Sequence, residues 1–408
     1  MKCRHCGTAL ALDLIDLGAA PPSNAYLDAN ALSKPERTYP LRVKVCTNCW
    51  LVQTEDYAGA AELFDADYAY FSSYSDTWLA HARAYVTEVV ERFNLGPRSL
   101  VAEVAANDGY LLQYVAGRGI PCYGVEPAAS TARAARERGI DIVQEFFSTR
   151  LGEALATHGR QADLMVANNV LAHVPDLNDF VGGFARLLKP AGIATFEFAD
   201  LVQLVDRTEF DTIYHEHFSY LSLFATEQVL GRAGLEVFDV QQLPTHGGSL
   251  RLFVQHRSSG VQPRSSSVEA RRSHEAGRGV ATREYYSGFQ QRAERIRDRL
   301  RAFLAEAKQR GETVSGYGAA AKGDTLLNFA GVGTDLVAFV ADRNPAKQGK
   351  LLPGSRIPIV AEDRIRERRP KWILILPWNL RAEITRQLAY VRDWGGAFVT
   401  AVPQLDFA

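Results

Sequence analysis

Nowhere in these 408 residues is there an uninterrupted apolar run of about 18, the length a membrane-crossing helix needs. The opening stretch, MKCRHCGTAL, lacks the apolar core of a secretory signal. Neither sign of charge is in excess: 46 Lys and Arg stand against 47 Asp and Glu, a formal charge of −1. That balance removes the electrostatic bias that draws a chain to nucleic acid or to an anionic membrane. Together these absences lead us to expect a cytoplasmic monomer that works on small molecules, with no nucleic acid and no membrane partner. A single ordinary core is excluded by length, since domains usually run to about 100–200 residues. Two or three domains are expected.

Cysteine is nearly missing after residue 50, where only Cys122 occurs. The other four form CRHC (Cys3, Cys6) and CTNC (Cys46, Cys49), two C-x2-C pairs with 39 residues between them. Each short spacer lets one turn present two thiolates to one ion, and two such turns complete a closed tetrahedral zinc site. The metal is therefore expected to be structural, with His5 a bystander. Two disulfides are the competing reading, disfavoured in a reducing cytosol.

From residue 58 to 95 the chain is aromatic-rich and then helical. An alternation of strands and helices follows: SLVAEVAAND, GYLLQYVAGRG, PCYGVEP, STARAARERG, ADLMVANNVLAHV and FVGGFARLLKPAGIATFEF. This order predicts a doubly wound parallel sheet. Residues 256–280 are polar and rich in Ser and Arg, the best linker candidate. A long helix comes next, with Phe289, Ala293, Ile296, Leu300, Leu304 and Ala307 on one face. TVSGYGAAAKGDTLLNFAG then opens a second α/β unit.

Two places carry candidate chemistry. At the end of the first central strand, EVAANDG (Glu103 to Gly109) offers a glycine for a tight turn and a helix start suited to a carboxylate. About twenty residues on, Glu126 in YGVEP stands where an acid can accept ribose hydroxyls. With G-x-G-x-x-G absent, S-adenosylmethionine fits better than a dinucleotide, although Ala105 occupies a position where many methyltransferases have glycine. The second place is TIYHEHFSYLS, with His215 and His217 around Glu216 and Tyr214 just before them. Histidine is suited to proton transfer near neutrality. In an extended backbone the two histidines share one face, with Tyr214 and Glu216 on the other, and alternation alone leaves both faces open. A two-histidine, one-carboxylate metal triad is the rival reading of HEH.

The ordered set CRHC, CTNC, DLGAAPPSNAYL, FSSYSD, EVAANDGYLLQY, GVEPA, NNVLAHVPDLNDFV, YHEHFSYLS, HGGSLR and GYGAAAKGDTLLN spans nearly the whole chain. It resembles the S-adenosylmethionine-dependent C-methyltransferases of nucleotide-linked deoxysugar biosynthesis, which supply antibiotic pathways. The resemblance implies an α/β protein in three parts: an N-terminal zinc-binding module (1–57), a central Rossmann-like class I methyltransferase domain (58–255) and a C-terminal Rossmann-like α/β domain (311–408). Residues 256–310 are assigned to the linker and long helix. It further implies a dTDP-4-keto-6-deoxysugar substrate methylated beside its ketone, at C-3 with C-5 as the alternative. His217 is the implied base, with Tyr214, Glu216 and His173 as its polar partners.

The cofactor is expected among Tyr70, Glu103, Ala105, Asn107, Gly109, Glu126, Pro127, Phe146, Asn168 and Asn169. The sugar nucleotide is expected among Tyr74, His215, Lys322, Asp342, Asn344, Trp378 and Asn379, with Lys322 supplying charge to the pyrophosphate. Two rivals remain: a non-catalytic nucleotide-sugar-binding protein, and an NAD-dependent oxidoreductase suggested by GYGAAAKG.

Overall fold

The computed structural model describes residues 1–28, 34–57 and 71–408. Strands Leu12–Ala20 (β1), Tyr39–Val45 (β2) and Val52–Thr54 (β3) pair antiparallel, and inward residues such as Leu14, Val43 and Val45 alternate with solvated ones.

In the middle of the chain, Val101–Val104 (β4), Cys122–Val125 (β5), Asp141–Val143 (β6), Ala162–Asn168 (β7) and Leu188–Ala199 (β8) run parallel. The two-residue strand Ser219–Tyr220 (β9) departs to pair with β3 in the first sheet. Leu235–Leu243 (β10) and Ser249–His256 (β11) then complete the central sheet, whose order is β10-β11-β8-β7-β4-β5-β6, with β11 alone antiparallel to its neighbours. This is the class I methyltransferase topology. Every residue of β4 is buried, because helices cover both faces of a parallel sheet. One of them, Asp76–Arg92 (α1), starts at Ser75, whose side chain accepts from the Trp78 amide.

Residues 256–280 are not an open linker. Ser266–Arg278 (α2) is a helix docked on the central unit, where buried Arg271 pairs with Asp200 at 2.6 Å and with Glu275 at 2.8 Å. Glu275 in turn accepts from the amides of Leu223 and Phe224. The helix was missed because ion pairs and Val268, rather than an apolar stripe, hold its inner face. The long helix Phe289–Gln309 (α3) buries the expected face together with Phe303. That face packs in one core with β1, β2 and the C-terminal unit.

The C-terminal unit comprises Val314–Tyr317 (β12), Val340–Ala341 (β13), Ile359–Val360 (β14), Trp372–Ile375 (β15), Ala397–Thr400 (β16) and Asp406–Phe407 (β17), in the order β14-β13-β12-β15-β16-β17. All but β17 are parallel. Helix Ala321–Ala330 (α4) follows β12. Among the described residues, no helix is long and apolar enough to cross a membrane.

Candidate active site

Cys3, Cys6, Cys46 and Cys49 converge so that their ligand atoms all lie within 4.8 Å of one another. The Cys3–Cys49 and Cys6–Cys46 sulfurs are each 3.5 Å apart, far beyond a disulfide bond. They are close to the roughly 3.8 Å edge of a tetrahedron with ~2.3 Å zinc–sulfur bonds. Four thiolates at this spacing fit a closed zinc site. His5 stays outside it, its Nδ1 set 2.8 Å from Asn178 Oδ1.

The candidate cofactor pocket lies where β4, β5 and β7 end, at the point where the strand order reverses. The chain leaves β4 through Ala105 and Asn107, both left-handed (φ 58° and 49°), and Gly109 (φ 77°). Three such residues in five curl the loop back, so the Asn107 amide donates to Glu126 Oε2 at 2.9 Å. The other oxygen of Glu126 accepts from the Ala128 amide and the Thr131 hydroxyl, each at 3.0 Å. Burial raises the pKa of Glu126, and these donors oppose the rise. With about four lone-pair sites on a carboxylate, capacity remains for a ribose hydroxyl.

Glu103 is buried, neither of its oxygens has a hydrogen-bond partner of normal geometry, and burial raises its pKa well above the usual carboxylate range. The buried Asn168 amide is equally unpartnered, although the Tyr110 hydroxyl stands beside both. Orphaned buried polar groups cost about 1–3 kcal/mol each, so they mark capacity held for a ligand. The charged amino-acid end of S-adenosylmethionine suits such an acceptor and amide. Ser72 N–H donates to Asn107 Oδ1 at 2.9 Å, and Arg138 pairs with Asp108 at 2.9 Å, which ties the segment before α1 to the same loop. Pro127 follows Glu126 directly, Phe146 is half exposed and Tyr74 is exposed. Tyr70 lies outside the described residues.

Residues 213–218 form a turn rather than a strand: His217 N–H donates to Tyr214 O at 2.9 Å. Alternation of faces therefore fails, and Tyr214 lies on the same side as His217, their ring centroids 3.9 Å apart. His173 joins them at 4.6 Å. His217 Nδ1 donates to the Thr212 carbonyl at 2.8 Å, and a carbonyl can only accept, so the lone pair is on Nε2. The surrounding protein, then the neighbouring His173, Lys322 and His246, lower its pKa well below the usual value, keeping it neutral. His173 is fixed in the same way, Nδ1 to the Glu216 carbonyl at 2.9 Å, with its pKa lowered to about 4 by burial.

His215 turns away, its Nε2 donating to Tyr39 O of β2 at 3.1 Å. Glu216 also departs from the imidazole: both its oxygens accept from Asn24 Nδ2 at 2.7 and 2.8 Å, and burial raises its pKa to about 7. The two side chains before His217 in the HEH run thus diverge from it, and these three residues form no metal triad. The zinc module braces the His217 backbone, with Thr54 Oγ1 donating to His217 O at 3.1 Å and the Thr54 amide to Phe218 O at 3.1 Å.

The C-terminal unit closes this junction. Thr325 of α4 donates to Ile213 O at 2.9 Å, and one turn earlier Lys322 Nζ donates to Asn379 Oδ1 at 2.9 Å. Trp378 lies 4.6 Å from the ammonium and gives its indole N–H to Asp211 Oδ2 at 2.7 Å. Asp342 and Asn344 instead stay in the C-terminal crevice, where Asp342 accepts the Ala319 and Asn344 amides at 2.7 Å each.

Sequence reasoning missed Glu209, Asp211 and His246. Glu209 and Asp211 are buried, with pKa values raised by burial to about 8 and about 6. His246, left-handed at φ 56°, approaches Asn169 Nδ2 at 3.2 Å. Two consecutive glycines follow it, and a Cβ on Gly247 would sit 2.5 Å from the Trp378 ring. The signals were the HGG triplet and the paired acids just before YHEH.

Three family descriptions match the chain in order: a zinc binding domain over residues 3–64, a methyltransferase domain over 78–240 and a C-methyltransferase C-terminal domain over 244–403. The chain is 34% identical over 403 residues to the C-methyltransferase NovU of Streptomyces niveus, covering 99% of this chain and 96% of that one. A ubiquinone biosynthesis O-methyltransferase of Bartonella tribocorum is 30% identical over 122 residues, 27% of this chain and 48% of its own. Among solved structures, magnesium protoporphyrin IX methyltransferase from Synechocystis with bound SAH matches 43% of this chain and 82% of its own, at 17% identity and a TM-score of 0.35. The protein belongs to the C-methyltransferase family and is a zinc-binding, S-adenosylmethionine-dependent enzyme.

Proposed function

We propose that the enzyme methylates a dTDP-4-keto-6-deoxysugar at a ring carbon beside the ketone, C-3 before C-5. The observation that carries this reading is the Nε2 lone pair of His217, held between the rings of Tyr214 and His173 where all three parts of the chain meet. A carbon becomes nucleophilic toward a methyl donor when an adjacent carbonyl can take the electrons of its C–H bond. His217 accepts that proton, and the electron pair passes into the ketone to give an enolate. S-adenosylmethionine, held by the Glu103, Glu126 and Asn168 set, supplies an electrophilic methyl group. As the new C–C bond forms, the ketone is restored. Tyr214 and His173 hold the imidazole in place, and the C-terminal unit, through Trp378 and Asn379, brings the sugar nucleotide to the junction.

The test is incubation with S-adenosylmethionine carrying a 13C-methyl group and dTDP-4-keto-6-deoxyglucose, followed by carbon NMR. A new methyl on C-3 is expected. A methyl on C-5 moves the regiochemistry to the other flank of the ketone, and no transfer to this sugar or to its dTDP-4-keto-2,6-dideoxy counterpart sinks the sugar reading.

A further inference from the structure

Lys322 stands where the C-terminal unit meets the segment that carries His217. In the crevice after β12, where α/β sheets bind ligands, the Asp342 carboxylate already takes the Ala319 amide at 2.7 Å, and Lys347 donates to the Ala319 carbonyl at 2.7 Å. Lys322 lies on the β15 side of that crevice, where Asn379 and Trp378 face Asp211 of the central unit. One of its three N–H bonds goes to Asn379 and its ammonium rests by the indole of Trp378, which is itself fixed by Asp211. No carboxylate closes a contact ion pair with it among the described residues. Yet Asp211 Oδ1 is buried without a hydrogen-bond partner, while Glu209 Oε1 faces Arg207 Nε at 3.4 Å. The same helical turn is bonded to Ile213, four residues before the base. The ammonium thus lies near enough to His217 and His246 for its charge to lower the pKa of both imidazoles.

A diphosphate in this position would bring two negative charges beside the buried Asp211 carboxyl. An enolate brings one, and only after the proton has left. A fixed donor whose interaction strengthens as charge develops lowers the barrier rather than merely binding the ground state. Resting on the sugar reading above, we propose that Lys322 is a catalytic residue: its ammonium donates to the ketone oxygen and holds the enolate formed when His217 takes the adjacent proton. The C–H electron pair becomes the C=C bond, the carbonyl π pair becomes the oxyanion, and the proton rests on Nε2 of His217. Methyl transfer reverses the carbonyl change while the sulfonium leaves as a neutral thioether.

Lys322→Met tests this, assayed with dTDP-4-keto-6-deoxyglucose for steady-state turnover and, with S-adenosylhomocysteine bound, for wash-in of solvent deuterium beside the ketone. Turnover and wash-in should fall together by about 10²–10³-fold, with KM changing less than about 3-fold and S-adenosylmethionine affinity unaltered. A raised KM with unchanged kcat makes Lys322 a nucleotide clamp and overturns the proposal. So does wash-in at the wild-type rate with turnover lost, since the residue then acts after enolisation. If Lys322→Met does not fold, the charge-neutral pair Lys322→Met with Asp211→Asn replaces it: turnover still lost supports the proposal, and turnover restored assigns Lys322 to charge balance. An inactive wild type defeats the sugar reading, whereas an active wild type matched by the variant defeats only the role of Lys322.

Discussion

The central and C-terminal α/β units place their strands in the same order, β6-β5-β4-β7-β8 in one and β14-β13-β12-β15-β16 in the other. At the crevice this order creates, they differ. The central unit leaves Glu103 and Asn168 buried without partners and keeps Glu126 at the end of its second strand. The C-terminal unit also sets an acid, Asp342, at the end of its second strand against the loop amide of Ala319, but adds a buried cation, Lys322, bonded to Asn379 at the end of β15. One topology thus carries orphaned polar groups at its crevice in the first case and a fixed positive charge in the second. Fold fixes where a crevice lies, and side chains decide what it presents.

The largest effect on this comparison comes from a region outside both units. Because β9 belongs to the sheet of β3, the backbone beside His217 is carried by the zinc module. Structural zinc contributes on the order of 10 kcal/mol to folding in small modules. Chelation, or Cys46→Ser, should unfold the N-terminal sheet and abolish turnover while S-adenosylmethionine still binds, checked by calorimetry beside metal analysis. Loss of cofactor affinity as well would show that the central unit does not stand alone.

Next is His217→Asn, which removes the proton acceptor but not the fold. Turnover should fall by about 10²–10⁴-fold, deuterium wash-in should disappear, and both ligands should still bind. Exchange that survives here but is lost in His215→Asn would move the base to the side chain now bonded to Tyr39.

Glu126→Ala against Asp342→Ala addresses the two crevices directly. Loss of charge-assisted bonds worth about 1.5–3 kcal/mol predicts S-adenosylmethionine binding weakened by about 10–100-fold in the first variant. The second should leave cofactor affinity untouched and raise KM for the sugar nucleotide. Equal loss in both would mean that the C-terminal crevice is a cofactor site after all.

How much of this was legible in sequence follows the same divide. The CxxC pairs, the strand and helix alternation and Glu126 could be read because each depends on residues close together along the chain. The turn at 213–218 hid the true neighbours of His217, since period-two alternation holds only in a strand. Glu209, Asp211 and His246 are brought to the base from separate segments, and nothing local marks a buried acid as facing a distant lysine. Helix α2 escaped because its inner face is ionic.

A smaller effect should appear in the pH profile. A base acts when deprotonated, so kcat/KM is full above its pKa and is lost as pH falls through it. With the His217 pKa held well below the ordinary 6.5, the acidic limb should lie below pH 6.5. Removing a nearby cation favours the protonated imidazole, so the residual activity of Lys322→Met should show that limb at higher pH. A limb that does not move would separate the charge of the C-terminal unit from the base.

The smallest expected effect compares the first residue after each opening strand, where both units need a left-handed backbone: Ala105 at φ 58° and Gly318 at φ 86°. A side chain in that conformation costs about 1–2 kcal/mol, while glycine gives back about 0.4–1 kcal/mol through its freer unfolded state. The difference favours Ala105→Gly by about 0–1.6 kcal/mol, and no neighbour opposes the change because a side chain is being removed. Gly318→Ala runs the other way: it takes on the same strain, and its Cβ would sit 2.6 Å from Cδ of Pro377, closer than packed carbons approach. Denaturant unfolding should therefore give opposite signs, with the Gly318→Ala loss the greater in magnitude. Equal and small changes at both positions would show that the C-terminal loop, already closed by Asp342, relaxes as readily as the open one.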